Sequence, residues 1–299
     1  METQNGFRRT NFVFIMTLFL ALSLPVWAGG AKDKDKEKEN GKLGLIKKAG
    51  KLVVGTSADY PPYEFHTLRN GKAEVVGFDI AIAKELAKDL HVKLELKDMR
   101  FENLLPSLQN GTIDLIIAGM KPTSERRQLV DFTAIYYHTV QRVLIRTADK
   151  DKYPTVDSLK TARLSAQRGT IQVDVATKYI LGQNPPTTPQ ASTPVEASAQ
   201  VEAITLVEAS TIRGLVQNLK NGKVDAIVVE QPVARAYIAK NPDLFLSPVS
   251  FKDDEGGTAI AIKKGNGDLA LAVEKTIARL IAAKKIDQFV VEANELVEN

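Results

Sequence analysis

Two stretches of this chain read almost alike although they stand far apart. The first is Leu105-Pro106-Ser107-Leu108-Gln109-Asn110-Gly111-Thr112-Ile113-Asp114-Leu115-Ile116-Ile117. The second is Val216-Gln217-Asn218-Leu219-Lys220-Asn221-Gly222-Lys223-Val224-Asp225-Ala226-Ile227-Val228. Each predicts a helix end, an Asn-Gly stop, and a buried strand that opens on aspartate. Two lobes of similar build, each burying its own sheet, account for the repeat; coincident Asn-Gly turns are the alternative. At 299 residues the chain is long enough for two modest domains.

The flanking pattern supplies the rest of a sheet. Lys51-Leu52-Val53-Val54-Gly55-Thr56 predicts a short buried strand, and Val92 to Leu96 an alternating one. Between them, Ile80, Ala83, Ala87 and Leu90 keep helical spacing, with Asp79 as the expected cap. Phe101 to Asn110 predicts a helix stopped by Gly111, and Ile113 to Ala118 a continuous apolar strand. Strands alternating with helices predict a parallel α/β sheet.

Composition excludes several functions. There is no cysteine, hence no disulfide, no thiolate nucleophile, no Cys-ligated metal and no lipid-modified cysteine. The net charge of +4 comes from lysines and arginines spread along the chain, without the stripe that nucleic acid requires. The N-terminus has Arg8 and Arg9, an apolar run from Phe12 to Ala28, and Val26-Trp27-Ala28 as cleavage chemistry. Residues 1–28 thus predict an export signal, with a retained membrane anchor as the competing reading. Residues 29–42, with the alternating charges Lys32 to Glu39, are expected to form a flexible tether. About residues 182–203, rich in Pro, Thr, Ser and Ala, suggest a low-complexity insertion.

Three places could carry binding chemistry. In Ala118-Gly119-Met120-Lys121-Pro122-Thr123-Ser124-Glu125-Arg126, a strand ends, glycine turns the chain, and Thr123 or Ser124 can cap a helix. Arg126 then sits where a guanidinium can clamp a carboxylate, or it is an exposed helix arginine. Gln167-Arg168-Gly169-Thr170-Ile171-Gln172 repeats the strand–glycine–hydroxyl pattern and suggests a second small anion cradle. Glu230 ends the strand Val224 to Val229, at the carboxyl edge where open α/β sheets bind ligands, and could hold an ammonium or be a solvated strand end. Tyr60 and Phe101 add apolar walls or are core.

Taken together, Ala58-Asp59-Tyr60-Pro61-Pro62-Tyr63-Glu64-Phe65, Gly77-Phe78-Asp79-Ile80, Phe101 to Leu108, Glu125-Arg126, Val130-Asp131-Phe132 and Tyr136-Tyr137 resemble a known family. It is that of the bacterial extracellular solute-binding proteins for amino acids, which includes glutamine- and lysine/arginine/ornithine-binding proteins. The resemblance covers about residues 43 to 299 apart from the insertion. It implies a type II periplasmic-binding-protein fold, two α/β lobes joined by a two-stranded hinge. Residues 43–140 and 256–299 would form lobe 1 and 141–255 lobe 2, with crossings near Tyr137 to Gln141 and Glu255 to Thr258.

Carried over by position, the resemblance implies that Arg126 grips the ligand α-carboxylate, with Thr170 as its cradle on the second lobe. Gly119, through its main chain, and Glu230 would meet the α-ammonium. Tyr60 and Phe101 would sandwich the side chain, and Ser57 and Gln172 would shape its pocket. Two residues depart from the family pattern: Glu230 stands for the usual aspartate, and Lys121 for a frequent Ser or Thr. Ser57 lacks the carboxylate that a buried cationic side chain wants.

The implied function is capture of a free, polar L-amino acid by lobe closure and its delivery to an ABC transporter permease. The protein is expected to be a monomer, without cofactor, metal or catalytic residue. The rivals are an enzyme on the same fold, such as a cyclohexadienyl dehydratase, and a membrane-tethered sensor. His66, His91 and His138 lack an obvious relay partner, which disfavours the enzyme.

Overall fold

A computed structural model describes residues 41–69, 71–183, 206–252 and 255–298, all within the compact unit Lys38–Asn299. The expected export signal, nearly all of the tether and nearly all of the insertion lie outside the described residues. Lys42, the last residue assigned to the tether, already opens the helix Lys42–Ala49.

The strands, in chain order, are β1 (Lys51–Thr56), β2 (Asp59–Tyr60), β3 (Glu64–Arg69), β4 (Lys72–Val76), β5 (Lys93–Asp98), β6 (Leu115–Ile116), β7 (Val130–Phe132), β8 (Gln141–Arg146), β9 (Leu164–Gln167), β10 (Val207–Ala209), β11 (Ala226–Glu230), β12 (Leu244–Phe251) and β13 (Ala261–Lys263). They make two five-stranded sheets, in the orders β5-β1-β6-β13-β7 and β10-β9-β11-β8-β12, and a small meander β2-β3-β4. The first sheet takes strands from both ends of the described chain, so the polypeptide leaves one lobe, builds the other, and returns. Tyr137 and Thr258 pair antiparallel where the two passages lie side by side.

Neither sheet is wholly parallel, which corrects the sequence-based expectation. β1 pairs parallel with β5 and β6, but β13 runs antiparallel to β6 and β7. In the second sheet β9 is parallel to β10 and β11, while β8 is antiparallel to β11 and β12. The returning passage causes the first exception: a strand entering from the other lobe is not bound by the right-handed crossover that keeps β-α-β strands parallel.

The repeat performs the same task in each lobe. Asp114 receives the Val53 N–H on its carboxylate at 2.8 Å and returns its own N–H to the Val53 carbonyl at 2.8 Å. Asp225 does the same with Arg163, at 3.0 and 2.8 Å. Both aspartates thereby fix the register of a strand about to enter the sheet. The preceding Gly111 and Gly222 take φ of 81° and 69°, the left-handed conformation that stops a helix cheaply only at glycine.

Helix faces follow the expected spacing. In Phe78–Asp89 the residues Ile80, Ala83 and Ala87 are buried, and Leu90 continues that face. Ile212, Leu215, Val216 and Leu219 do the same in Ile212–Lys220, whose Thr211 side chain caps the Gly214 N–H. The long helix Gly267–Ala282 returns to the first lobe, packing on Lys42–Ala49 and Phe78–Asp89. Asp79 does not cap its helix: Gly77 holds that position, and the Asp79 carboxylate turns inward instead. There it accepts the Gly119 N–H at 2.8 Å and the Tyr136 hydroxyl at 2.9 Å. The two donors offset part of the cost of burying that carboxylate.

Candidate functional site

The cavity lies where the carboxyl ends of strands from both sheets face each other. It holds about 330 Å³ of empty space, open solvent included. All nine expected site residues line it: Ser57, Tyr60, Phe101, Gly119, Lys121, Arg126, Thr170, Gln172 and Glu230. They come from chain segments more than a hundred residues apart, and only the two-lobed fold brings them together.

Arg126 is held by the helix Ser124–Leu129, which forms because Thr123 accepts the Arg126 N–H at 3.2 Å. The guanidinium is buried and donates to the Lys121 carbonyl at 2.8 Å within its own loop. It also donates to the Gly169 carbonyl of the other lobe at 2.9 Å. The Phe101 ring centroid lies 5.4 Å from its guanidinium carbon, a cation–π contact. Burial pushes its pKa down to about 10, which still leaves it fully charged at neutral pH.

Glu230 ends β11 with 1% exposure, so it is no solvated strand end. One carboxylate oxygen is 2.9 Å from Lys121 Nζ, and the other accepts the Tyr63 hydroxyl. This changes the expectation drawn from the family pattern. Glu230 does not stand free for an ammonium, because a lysine of the opposite lobe already meets it. Lys121, 2% exposed, points across the cleft at Glu230, while only its main-chain carbonyl faces Arg126. Lysine reaches that far because its stem is four carbons long, and the extra methylene of glutamate shortens the gap.

Thr170 lines the cavity, yet its hydroxyl and its N–H both donate to the Gln167 carbonyl, at 2.7 and 3.3 Å. In this arrangement the threonine closes its own turn. Gly119 has φ of 57°, and a Cβ there would lie 3.4 Å from Tyr63 and 3.5 Å from Tyr60, so glycine suits both the turn and the close rings. Its N–H belongs to Asp79. Tyr60 packs against Tyr63, ring centroids 5.4 Å apart, and Phe101 faces Arg126, so each aromatic has a second role beside lining the cavity. Gln172 donates to Gln141 at 2.8 Å, at the start of β8.

Sequence reasoning missed Glu64 and Gln167 as lining residues. Gln167 ends β9 as Glu230 ends β11, so the carboxyl-edge rule that singled out Glu230 applied to it equally. Glu64 stands in the Pro-Pro-Tyr-Glu-Phe run but opens a strand, where no such rule points. Burial and the neighbouring Asp79 and Asp59 carboxylates push its pKa well above the usual carboxylate range. Of the histidines, His66 does have a partner, Asp98 at 2.8 Å, but the pair lies on the exposed surface away from the cavity. Among the described residues, no cluster of His, Cys, Asp and Glu has the makings of a metal site.

Two mixed α/β lobes, a double crossing and a charged cavity between strand ends define a type II periplasmic binding protein. The chain belongs to the bacterial extracellular solute-binding proteins, family 3, whose pattern matches residues 52–292. It is 33% identical over 216 residues to the arginine-binding extracellular protein ArtP of Bacillus subtilis, covering 72% of this chain and 74% of that one. It is 30% identical to the ABC transporter arginine-binding protein 1 of Escherichia coli, covering 78% and 86%. Among solved structures it resembles the amino acid ABC transporter substrate-binding protein AbpA of Streptococcus pneumoniae bound to L-arginine. There the TM-score is 0.76 at 32% identity, with 86% of this chain and 99% of that chain covered.

Proposed function

We propose that this protein captures a free, polar L-amino acid as its two lobes close, and delivers it to the permease of an ABC importer. The observation that carries the reading is that Arg126 and Glu230, opposite charges from different lobes, line one cavity. An amino-acid zwitterion leaves water at little cost only where both its charges are met. The Arg126 fork suits the carboxylate. The Gly119 carbonyl and Glu230 suit the ammonium, which joins or displaces Lys121 at the glutamate. Since the groups belong to two lobes, the ligand favours the closed arrangement.

The relatives' names support the class of ligand without choosing its side chain, because they span arginine, histidine, cystine and glutamine. The protein acts outside the cytoplasmic membrane, as a monomer, and binds without turnover. Mass spectrometry of the mature N-terminus distinguishes cleavage after Ala28 from a retained anchor. Appearance of product from prephenate or arogenate would replace the binding role with an enzymatic one.

The decisive test is titration calorimetry with the common amino acids, followed by Arg126→Ala. Loss of one charge-assisted clamp, at about 1.5–3 kcal/mol, corresponds to at least about a tenfold weaker Kd. A folded Arg126→Ala protein with unchanged affinity overturns the assignment.

A further inference from the structure

We propose that Lys121 sets the side-chain preference of this cavity: amino acids with an acidic side chain bind best, neutral polar ones next, and basic ones last. The inference rests on the reading of the cavity as an amino-acid site and names the ligand class within it.

The argument is a count of fixed charges. Four acidic or basic side chains line the cavity: Arg126, Lys121, Glu230 and Glu64. Lys121 and Glu230, at 2% and 1% exposure and 2.9 Å apart, cancel each other. Glu64 is fully buried, and the Asp79 and Asp59 carboxylates beside it further disfavour its charged form. Ser57 and Gln172 add no charge. Within the lining that leaves one further cation, Arg126, while the Asp79 carboxylate stands behind Gly119 at 2.8 Å from its N–H. The carboxylates whose fields reach Arg126, those of Asp174, Glu255 and Glu125, stand outside the lining.

A ligand is selected by how it completes this inventory. Glutamate or aspartate carries two carboxylates and one ammonium, and its net single negative charge brings the closed cavity to neutrality. Glutamine leaves one positive charge, and arginine or lysine leaves two, enclosed where desolvated charge is costly. With a serine or threonine at position 121 the count falls by one. Glu230 would then stand free to balance the ligand's ammonium, and a basic side chain would no longer meet a second fixed cation. The lysine, and not the fold shared with arginine-binding relatives, therefore decides the sign of the preferred side chain.

The test is calorimetry on the mature chain with L-glutamate, L-aspartate, L-glutamine, L-arginine and L-lysine, repeated with Lys121→Ser. The expected result is that glutamate or aspartate binds at least about tenfold tighter than arginine, a difference of 1.4 kcal/mol. Lys121→Ser should shrink or reverse that ratio by at least about tenfold, while Lys121→Arg, which keeps the charge, keeps the ranking. Arginine or lysine binding the wild-type protein more tightly than both acidic ligands overturns the inference, as does an unaltered ratio in Lys121→Ser. The wild-type ranking alone decides the matter should Lys121→Ser not fold. A basic amino acid that binds more tightly than both acidic ones refutes only this inference, whereas failure of all five to bind refutes the amino-acid reading beneath it as well.

Discussion

Replacing Asp225 by asparagine tests whether the repeated Asp really fastens each sheet. Its carboxylate accepts four bonds: from the Arg163 main chain at 3.0 Å, from Arg163 Nε and Nη2 at 2.8 Å each, and from Arg146 Nη2 at 2.8 Å. Asparagine keeps one acceptor oxygen and turns an NH2 toward the remaining donors. The Arg163 side chain is 53% exposed, so its two bonds count for no more than about 1 kcal/mol together. The Arg146 bond is better shielded, its side chain being 21% exposed, and together with the opposed NH2 it brings the loss to about 2–4 kcal/mol. For a protein of this size that lowers Tm by about 5–15 °C.

Asp114→Asn is the internal control. Asp114 accepts only the Val53 N–H and the ion pair with Lys42, whose side chain is 25% exposed. The amide oxygen can keep the first, so the expected loss is about 1 kcal/mol. Calorimetric melts of both variants at pH 7 should rank them with Asp225→Asn clearly the less stable. The arginines hold the Asp225 carboxyl well below the usual carboxylate range. Its stabilisation is therefore complete above the unfolded value of about 3.9 and fades as pH falls below it, so the gap between wild type and Asp225→Asn should narrow in acid. Equal losses for the two aspartates, or a larger one for Asp114→Asn, would refute the reasoning.

Two more outcomes follow from the structure. Gly77 has φ of 127°, and a Cβ there would lie 2.1 Å from the Tyr63 carbonyl oxygen, a backbone atom with nowhere to go; Gly77→Ala should cost more than about 3 kcal/mol or abolish folding, read from soluble yield and denaturant midpoint. Asp79 and Asp59 behave oppositely to Asp225: burial raises each to about 6, so the folded state holds their protons longer than the unfolded chain does. Their contribution is fullest below about pH 4 and declines as pH rises through about 6, and Asp79→Asn should flatten that part of a Tm-against-pH curve.

The sequence made the lobes legible because each lobe's frame is local. A helix face, an Asn-Gly stop and an aspartate at a strand start all lie within about a dozen residues, the range over which period and turn chemistry speak. Asp79 shows where that range ends. An aspartate just after Gly-Phe at a helix start looks like a cap, and its true partners, Gly119 and Tyr136, are distant in the chain. The sheet direction failed for a similar reason: β13 enters from the other lobe, and nothing near Ala261 announces which way it runs.

The site was legible as a set of residues and illegible as a set of partnerships. Strand ends and glycine turns pointed to Arg126, Thr170 and Glu230, with Tyr60 and Phe101 as walls, and the family resemblance supplied Ser57, Gly119, Lys121 and Gln172. Neither could say that Lys121 would meet Glu230, since that contact exists only when two lobes face each other. The same holds for Arg126 with the Gly169 carbonyl, Ser210 with Glu102 at 2.8 Å, and the Ile212 N–H with Asp59 at 2.6 Å. Each of these joins the lobes directly, so part of the free energy of closure belongs to the protein and is present whichever ligand enters. A ligand then needs to supply only the remainder of that free energy.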